Sequence, residues 1–78
     1  MINDYEIGKR IQDYRKSRKL TQKALAEKIG VSTNFIGLIE KGIKRPSFKT
    51  FVDIVDVLQA SPGVIIFGES YKDPSIKK

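Results

Sequence analysis

Histidine and cysteine are both absent from the 78 residues. That removes the usual general base at neutral pH and, with it, the usual zinc ligands. Catalysis would then fall to paired carboxylates, a Ser–Lys pair or a metal held by acids. The nearest arrangement is Asp53 with Asp56, spaced to share one face of a helix. Two carboxylates on an exposed helix are ordinarily solvated charge, and no acidic cluster marks a cleft. The sequence therefore predicts no enzyme, no metal and no cofactor. What remains is the chemistry of binding, carried by hydrogen-bonding side chains such as Thr33 and Asn34 and by a surplus of cations.

The formal net charge is +6, and it is unevenly spread. Between Lys9 and Lys49 stand twelve Lys or Arg against three acids, Asp13, Glu27 and Glu40. Between Thr50 and Ser70 there is no Lys or Arg, while Asp53, Asp56 and Glu69 are present. Such asymmetry points to a polyanionic partner on one side of the molecule. A lysine-rich surface that serves only solubility is the competing explanation.

The elements that must position these groups read as five helices with no strand. The first is predicted over about Asp4 to Lys19, with Asn3 and Glu6 spaced as a capping box and Ile7, Ile11 and Tyr14 on its apolar face. The second starts at the N-cap Thr21, buries Leu25, Ala26 and Ile29, and ends at Gly30. The third starts at the N-cap Ser32, turns Ile36 and Ile39 inward, and closes at Gly42. The fourth follows Ser47 and carries a broad apolar face of Phe48, Phe51, Val52, Ile54, Val55 and Leu58. A fifth follows Ser61 and Pro62 and covers roughly Gly63 to Phe67. Val64 to Phe67 also fits a short buried strand, but the chain offers no partner strand.

One domain is expected over residues 1–70, followed by a polar tail over 71–78. No apolar run is long enough to span a bilayer, and the N-terminus lacks a signal-peptide core. With no cysteine, a reducing cytoplasm is the default location. With so little chain outside the helices, no small-molecule ligand is expected.

Leu25 to Gly42 breaks one amphipathic helix at Gly30 and restarts another at Ser32. A helix, a short turn beginning with glycine and a second helix form a helix-turn-helix. A plain helical hairpin is the alternative. Ala26 at the close approach, the turn glycine and the charge asymmetry together favour the DNA-binding form. Arg15 and Glu40 fall near the inner faces of their helices, each four residues beyond a buried isoleucine (Ile11, Ile36). Opposite charges beside so small a core are predicted to form a structural ion pair, because an unpaired buried charge is expensive.

These features in order resemble the Cro/phage-repressor helix-turn-helix family, also called the XRE family. The matching pieces are the R-I…R-K start, L-T-Q-x-x-L-A, I-G-V-S, I-x-x-I-E-K-G and R-P-S, spread from about Ile7 to Glu69. The resemblance implies a compact five-helix, lambda-repressor-like, all-α domain that binds double-stranded DNA and regulates transcription. The family similarly pairs an arginine of the first helix with the glutamate at Glu40. Its glutamine at the position of Gln22 meets the DNA backbone.

In such a motif the second helix enters the major groove. Thr33, Asn34, Gly37 and Leu38 are then the candidate base contacts. Asn34 can pair with an adenine edge, Thr33 can bond a base or touch a thymine methyl, and Leu38 can pack on thymine methyls. A rim contact is the competing use of Leu38, and a local cap that of Asn34. Gly37 stands where the family often has serine. Glycine within a helix costs roughly 0.8–1 kcal/mol relative to alanine. Gln22, Lys23, Lys41, Lys44 and Arg45 are the candidate phosphate contacts, Lys23 being weaker than the others, as is Lys49. Val64, Ile65, Ile66 and Phe67 exceed what one small face can bury, so a homodimer through this helix is expected. The reading is a sequence-specific regulator, most simply a repressor on an inverted repeat. Three contexts fit: a phage or mobile-element repressor, a restriction-modification controller, or an antitoxin-type autoregulator. The alternative is a protein-interaction module built on the same fold.

Overall fold

A computed structural model describes residues 2–68. The predicted tail over 71–78 lies outside the described residues, as do Met1, Glu69 and Ser70. Five helices follow in order: α1 Asp4–Ser17, α2 Gln22–Ile29, α3 Thr33–Glu40, α4 Phe48–Leu58 and α5 Pro62–Phe67. No strand occurs among the described residues, and Val64 to Phe67 is helical. No described helix is long and apolar enough to cross a membrane.

Each helix starts where a small polar side chain can satisfy a backbone N–H that has no partner within the helix. Asn3 accepts from the N–H of Glu6, Thr21 from Ala24, Ser32 from Phe35, Ser47 from Thr50 and Ser61 from Val64. The ends are set the same way. α1 stops two residues before the predicted Lys19, because Lys19 takes a left-handed φ of 59°. The N–H of Leu20 then reaches back to the Arg15 carbonyl at 3.1 Å, and that of Lys19 to Lys16 at 2.9 Å, closing the last turn.

Two arginines finish the remaining ends. Arg18 donates from Nε to the Leu58 carbonyl at 2.7 Å and from Nη2 to Gln59 at 3.1 Å. Arg10 donates to the Ile65 carbonyl at 3.1 Å. A cation there meets both the open carbonyls and the negative end of a helix dipole. Arg10 and Arg18 therefore serve α5 and α4, and their charge is not all available to an external partner.

α1 packs on α3 and α5, and α2 packs on α3 and α4. Ile11, Leu25, Ala26, Ile36, Ile39, Ile54, Leu58 and Ile65 meet at the centre. Two sequence expectations need correction here. The apolar face of α4 is broader than its buried arc. Ile54 and Leu58 are fully buried, whereas Phe48 is 83% exposed and Val52 45%. Those two lie one turn apart on a stripe beyond the reach of α2. In α5, Ile65 is fully buried in the core, so it is not available as a dimer contact. Helical period turns it inward while Phe67 stays on the surface.

α1 and α3 approach closely at Gly8. A Cβ built there would collide with the Ile39 carbonyl and lie 2.7 Å from the Glu40 carbonyl oxygen. Both are backbone atoms, so α3 itself would have to shift. Gly8→Ala is expected to destabilise by about 1–3 kcal/mol despite alanine's better helix propensity. For a domain this size, that is a fall of roughly 5–20 °C in Tm, measured by circular dichroism melting.

Candidate nucleic-acid interface

The turn between α2 and α3 is built on Gly30, at φ 76° and ψ 33°. Its N–H bonds the Ala26 carbonyl at 2.9 Å, and the N–H of Val31 shares that carbonyl at 3.1 Å. Ser32 then returns to extended backbone and caps α3. Because Ile36, Ile39 and Glu40 turn inward, the opposite side of α3 faces outward. Thr33 and Asn34 are exposed there, with Gly37 and Leu38 half-buried beside them. Ser32 provides the cap, and the Asn34 side chain makes no hydrogen bond among the described residues. Phe35, also on α3, packs against the core.

Cations flank this face. Lys23 at the start of α2, and Lys41 and Lys44 after α3, are exposed. None of them forms an ion pair among the described residues. Arg45 differs. Its Nε and Nη2 donate to the two oxygens of Asp4 at 3.1 and 3.2 Å, a bidentate exposed pair. The Asp4 hydrogen bond, helped by its charge, raises the Arg45 pKa further above its ordinary value. Lys49 is held by Asp53 on its own helix at 2.9 Å, so of the two weaker candidates Lys49 has a carboxylate of its own.

Behind the face lies the ion pair. Arg15 Nε donates to Glu40 Oε2 at 2.6 Å and Nη2 to Oε1 at 3.0 Å. Their side chains are 8% and 1% exposed. Arg15 Nη1 also donates to the Leu20 carbonyl at 2.7 Å, and Gln12 to Glu40 Oε1 at 3.3 Å. Gln22, half-buried, donates from Nε2 to the same Oε1 at 3.0 Å. The structure thus brings Arg15, Glu40, Gln12 and Gln22 into one cluster. The sequence reading placed the first two near inner faces, but the two glutamines carry no periodic signal. Nor does spacing reveal the Asp4–Arg45 pair, formed by residues 41 apart.

The sequence model of the helix-turn-helix family HTH_3 matches residues 11–65. The chain belongs to this helix-turn-helix family. It is 38% identical over 69 residues to the HTH-type transcriptional regulator DicA of Escherichia coli (strain K12), covering 88% of this chain and 51% of DicA. It is 36% identical over 64 residues to the immunity repressor protein of Bacillus phage phi105, covering 82% of this chain and 44% of that repressor. The chain therefore spans about half the length of these two curated relatives. Among solved structures, the P22 c2 repressor protein in complex with synthetic operator 9T superposes with a TM-score of 0.76 at 32% identity. That match covers 81% of this chain and 96% of the P22 chain. The five-helix, repressor-like fold expected from the sequence is the fold observed.

Within this helix-turn-helix domain, the ion pair generates a sharp expectation. Glu40→Ala leaves the Arg15 guanidinium buried and unpaired, at a cost of about 3–5 kcal/mol. Replacing both residues together with apolar ones of similar volume is expected to recover most of that loss. A double-mutant cycle from urea denaturation measures the coupling. Additive losses would show that the two charges act independently.

Proposed function

We propose that the domain binds duplex DNA sequence-specifically through α3 and acts as a homodimeric repressor on an inverted-repeat operator. The observation that carries this is the outward side of α3. Thr33 and Asn34 are exposed there, their side chains make no hydrogen bond among the described residues, and Lys41, Lys44 and Lys23 around them pair with no carboxylate among those residues. A helix with polar, uncommitted side chains on its open face suits the major groove. The kinship with an immunity repressor, and the P22 repressor solved on an operator, support repression and favour the phage or mobile-element context.

In this reading the two kinds of contact divide the work. Thr33, Asn34 and Leu38 meet base edges, the amide of Asn34 suited to adenine and Leu38 to thymine methyls. Gly37 lets the backbone approach. Lys23, Lys41, Lys44 and Arg45 meet phosphates, which fix position without reading sequence. Arg45 exchanges the Asp4 carboxylate for a phosphate when DNA arrives.

A second copy is proposed to cover the apolar surface where α4 and α5 approach α1. Ile2, Ile7, Phe48, Phe51 and Ile66 line a groove of about 220 Å³ there, next to Lys44 and Arg45. Phe48 and Phe67 are 83% and 61% exposed. Val64 lies instead in a separate hollow with Arg10 and Tyr14. The proposed contact is Ile66 and Phe67 together with Phe48, a residue whose type and spacing predict the core face of α4.

The test is selection of bound duplexes from a random library, followed by sequencing. An inverted repeat with half-sites about one helical turn apart is the expected result. Salt-sensitive binding with no enriched motif would replace this reading with a protein-interaction module. On the selected operator, Lys41→Ala and Lys44→Ala should each reduce the slope of log K against log salt by about two, one contact per half-site, with the preferred sequence unchanged. Phe48→Lys should leave the melting temperature within a few degrees and abolish the advantage of the palindrome over a single half-site, read by gel shift and sedimentation.

A further inference from the structure

Gln22 opens α2, and its amide is pinned at one end. Nε2 donates to Glu40 Oε1 at 3.0 Å. A carboxylate offers only acceptors, so the amide nitrogen must face it and the carbonyl oxygen must point elsewhere. Glu40 does not swing to accommodate another arrangement, because Arg15 grips both of its oxygens and Gln12 adds a further donor.

The same amide lies over Gly37. A Cβ built on Gly37 would be 3.6 Å from Gln22 Oε1 and 3.8 Å from Nε2, which is ordinary van der Waals contact. On the outward side of α3, Gly37 is the position without a side chain, between Thr33 and Lys41. Gln22 Oε1 accepts no hydrogen bond among the described residues, and it is not a buried atom lacking a partner. α2 therefore supplies a fixed, open acceptor where α3 supplies nothing.

We propose that Gln22 reads sequence: its carbonyl Oε1, aimed past Gly37, accepts a hydrogen bond from a base amino group, adenine N6 or cytosine N4, in the major groove. Those two groups are the exocyclic donors displayed there, whereas thymine O4, guanine O6 and phosphate oxygens are acceptors that this carbonyl cannot bind. This adds base reading to the phosphate contact that the family resemblance implies for Gln22, which the second Nε2–H can still make. An unrestrained glutamine could turn its amide to suit either kind of partner. The buried ion pair removes that choice, which makes Arg15 and Glu40 positioning residues for a contact they do not touch. The inference rests on the DNA-binding reading given above.

The experiment compares the intact chain with Gln22→Ala and Gly37→Ala by duplex selection and sequencing, with circular dichroism melts as the check on folding. Gln22→Ala is expected to lose the adenine-or-cytosine preference at one position per half-site and keep the rest of the motif. Its affinity for the best inverted repeat should fall about ten- to a hundredfold, the worth of one hydrogen bond in each half-site. Gly37→Ala should melt higher, since alanine is the better helix former. Its methyl group stands against Oε1, so it should lose preference at the same position. A Gln22→Ala protein that binds every duplex more weakly by one factor, with its motif intact, overturns the inference and makes Gln22 a phosphate contact. Unchanged preference in Gly37→Ala overturns it equally. If the unaltered chain enriches no motif, the DNA-binding reading fails and this inference fails with it.

Discussion

Burying Arg15 and Glu40 removes two charges from water, and only close, fully satisfied geometry offsets that desolvation. The geometry here is close. Glu40 takes two donors from Arg15 and one each from Gln12 and Gln22, while the remaining Arg15 nitrogen holds the Leu20 carbonyl. Those partners lie on α1, on the α1–α2 connection, at the first residue of α2 and at the last residue of α3. A single carboxylate therefore sets the pitch of α3 against the rest of the domain. Apolar contacts are non-directional and alone would tolerate a small rotation of α3. Bidentate hydrogen bonds to a planar guanidinium do not.

The rest of the molecule is economical around that joint. Eight fully buried apolar residues, at least one from every helix, make the core. Each short helix then has an outer side with no packing duty. Arginine and lysine are used differently. Arg10, Arg15 and Arg18 are turned to carbonyls and a carboxylate inside the fold, where a planar fork can satisfy several acceptors at once. Lys23, Lys41 and Lys44, whose compact ammonium groups are strongly hydrated, remain outside. The charge asymmetry visible in composition thus overstates the cationic face, because part of it is structural.

Much of this was legible because it is local. Asn3, Thr21, Ser32, Ser47 and Ser61 cap helices three residues away, so their roles follow from type and spacing. Gly30 announces its turn in the same way. Ile11, Leu25, Ile36 and Ile39 follow the helical period into the core. The failures come where the outcome depends on how much neighbouring surface exists. Phe48 and Val52 have the right types for burial, but α2 covers only part of α4, and no period reports the width of that cover. Ile65 and Phe67 are equally apolar and separate only once α5 is laid on α1. The site shows the same limit. Thr33 and Asn34 are found by counting along α3, whereas the Gln22–Glu40 and Asp4–Arg45 contacts link residues far apart in sequence and depend on the assembled fold.

The distribution of charge over the proposed interface has a consequence for how binding and selectivity relate. Between Thr33 and Glu40 the only ionisable side chain is Glu40, and it is consumed by Arg15. The surface offered to base edges is neutral, made of a hydroxyl, an amide, an isobutyl group and bare backbone. Lys23, Lys41 and Lys44, which form no ion pair among the described residues, stand around it. Phosphate contacts release counterions and weaken steeply with salt, whereas neutral hydrogen bonds and methyl contacts in the groove do not. Affinity in such an arrangement is set by the rim and discrimination by the centre. No guanidinium on α3 competes between a phosphate and a guanine edge. The rigid Arg15–Glu40 joint matters most for the central contacts, because short neutral contacts lose their discrimination when displaced, while a charge near a phosphate keeps much of its attraction through space. A loosened α3 would therefore be expected to lose selectivity before it loses affinity.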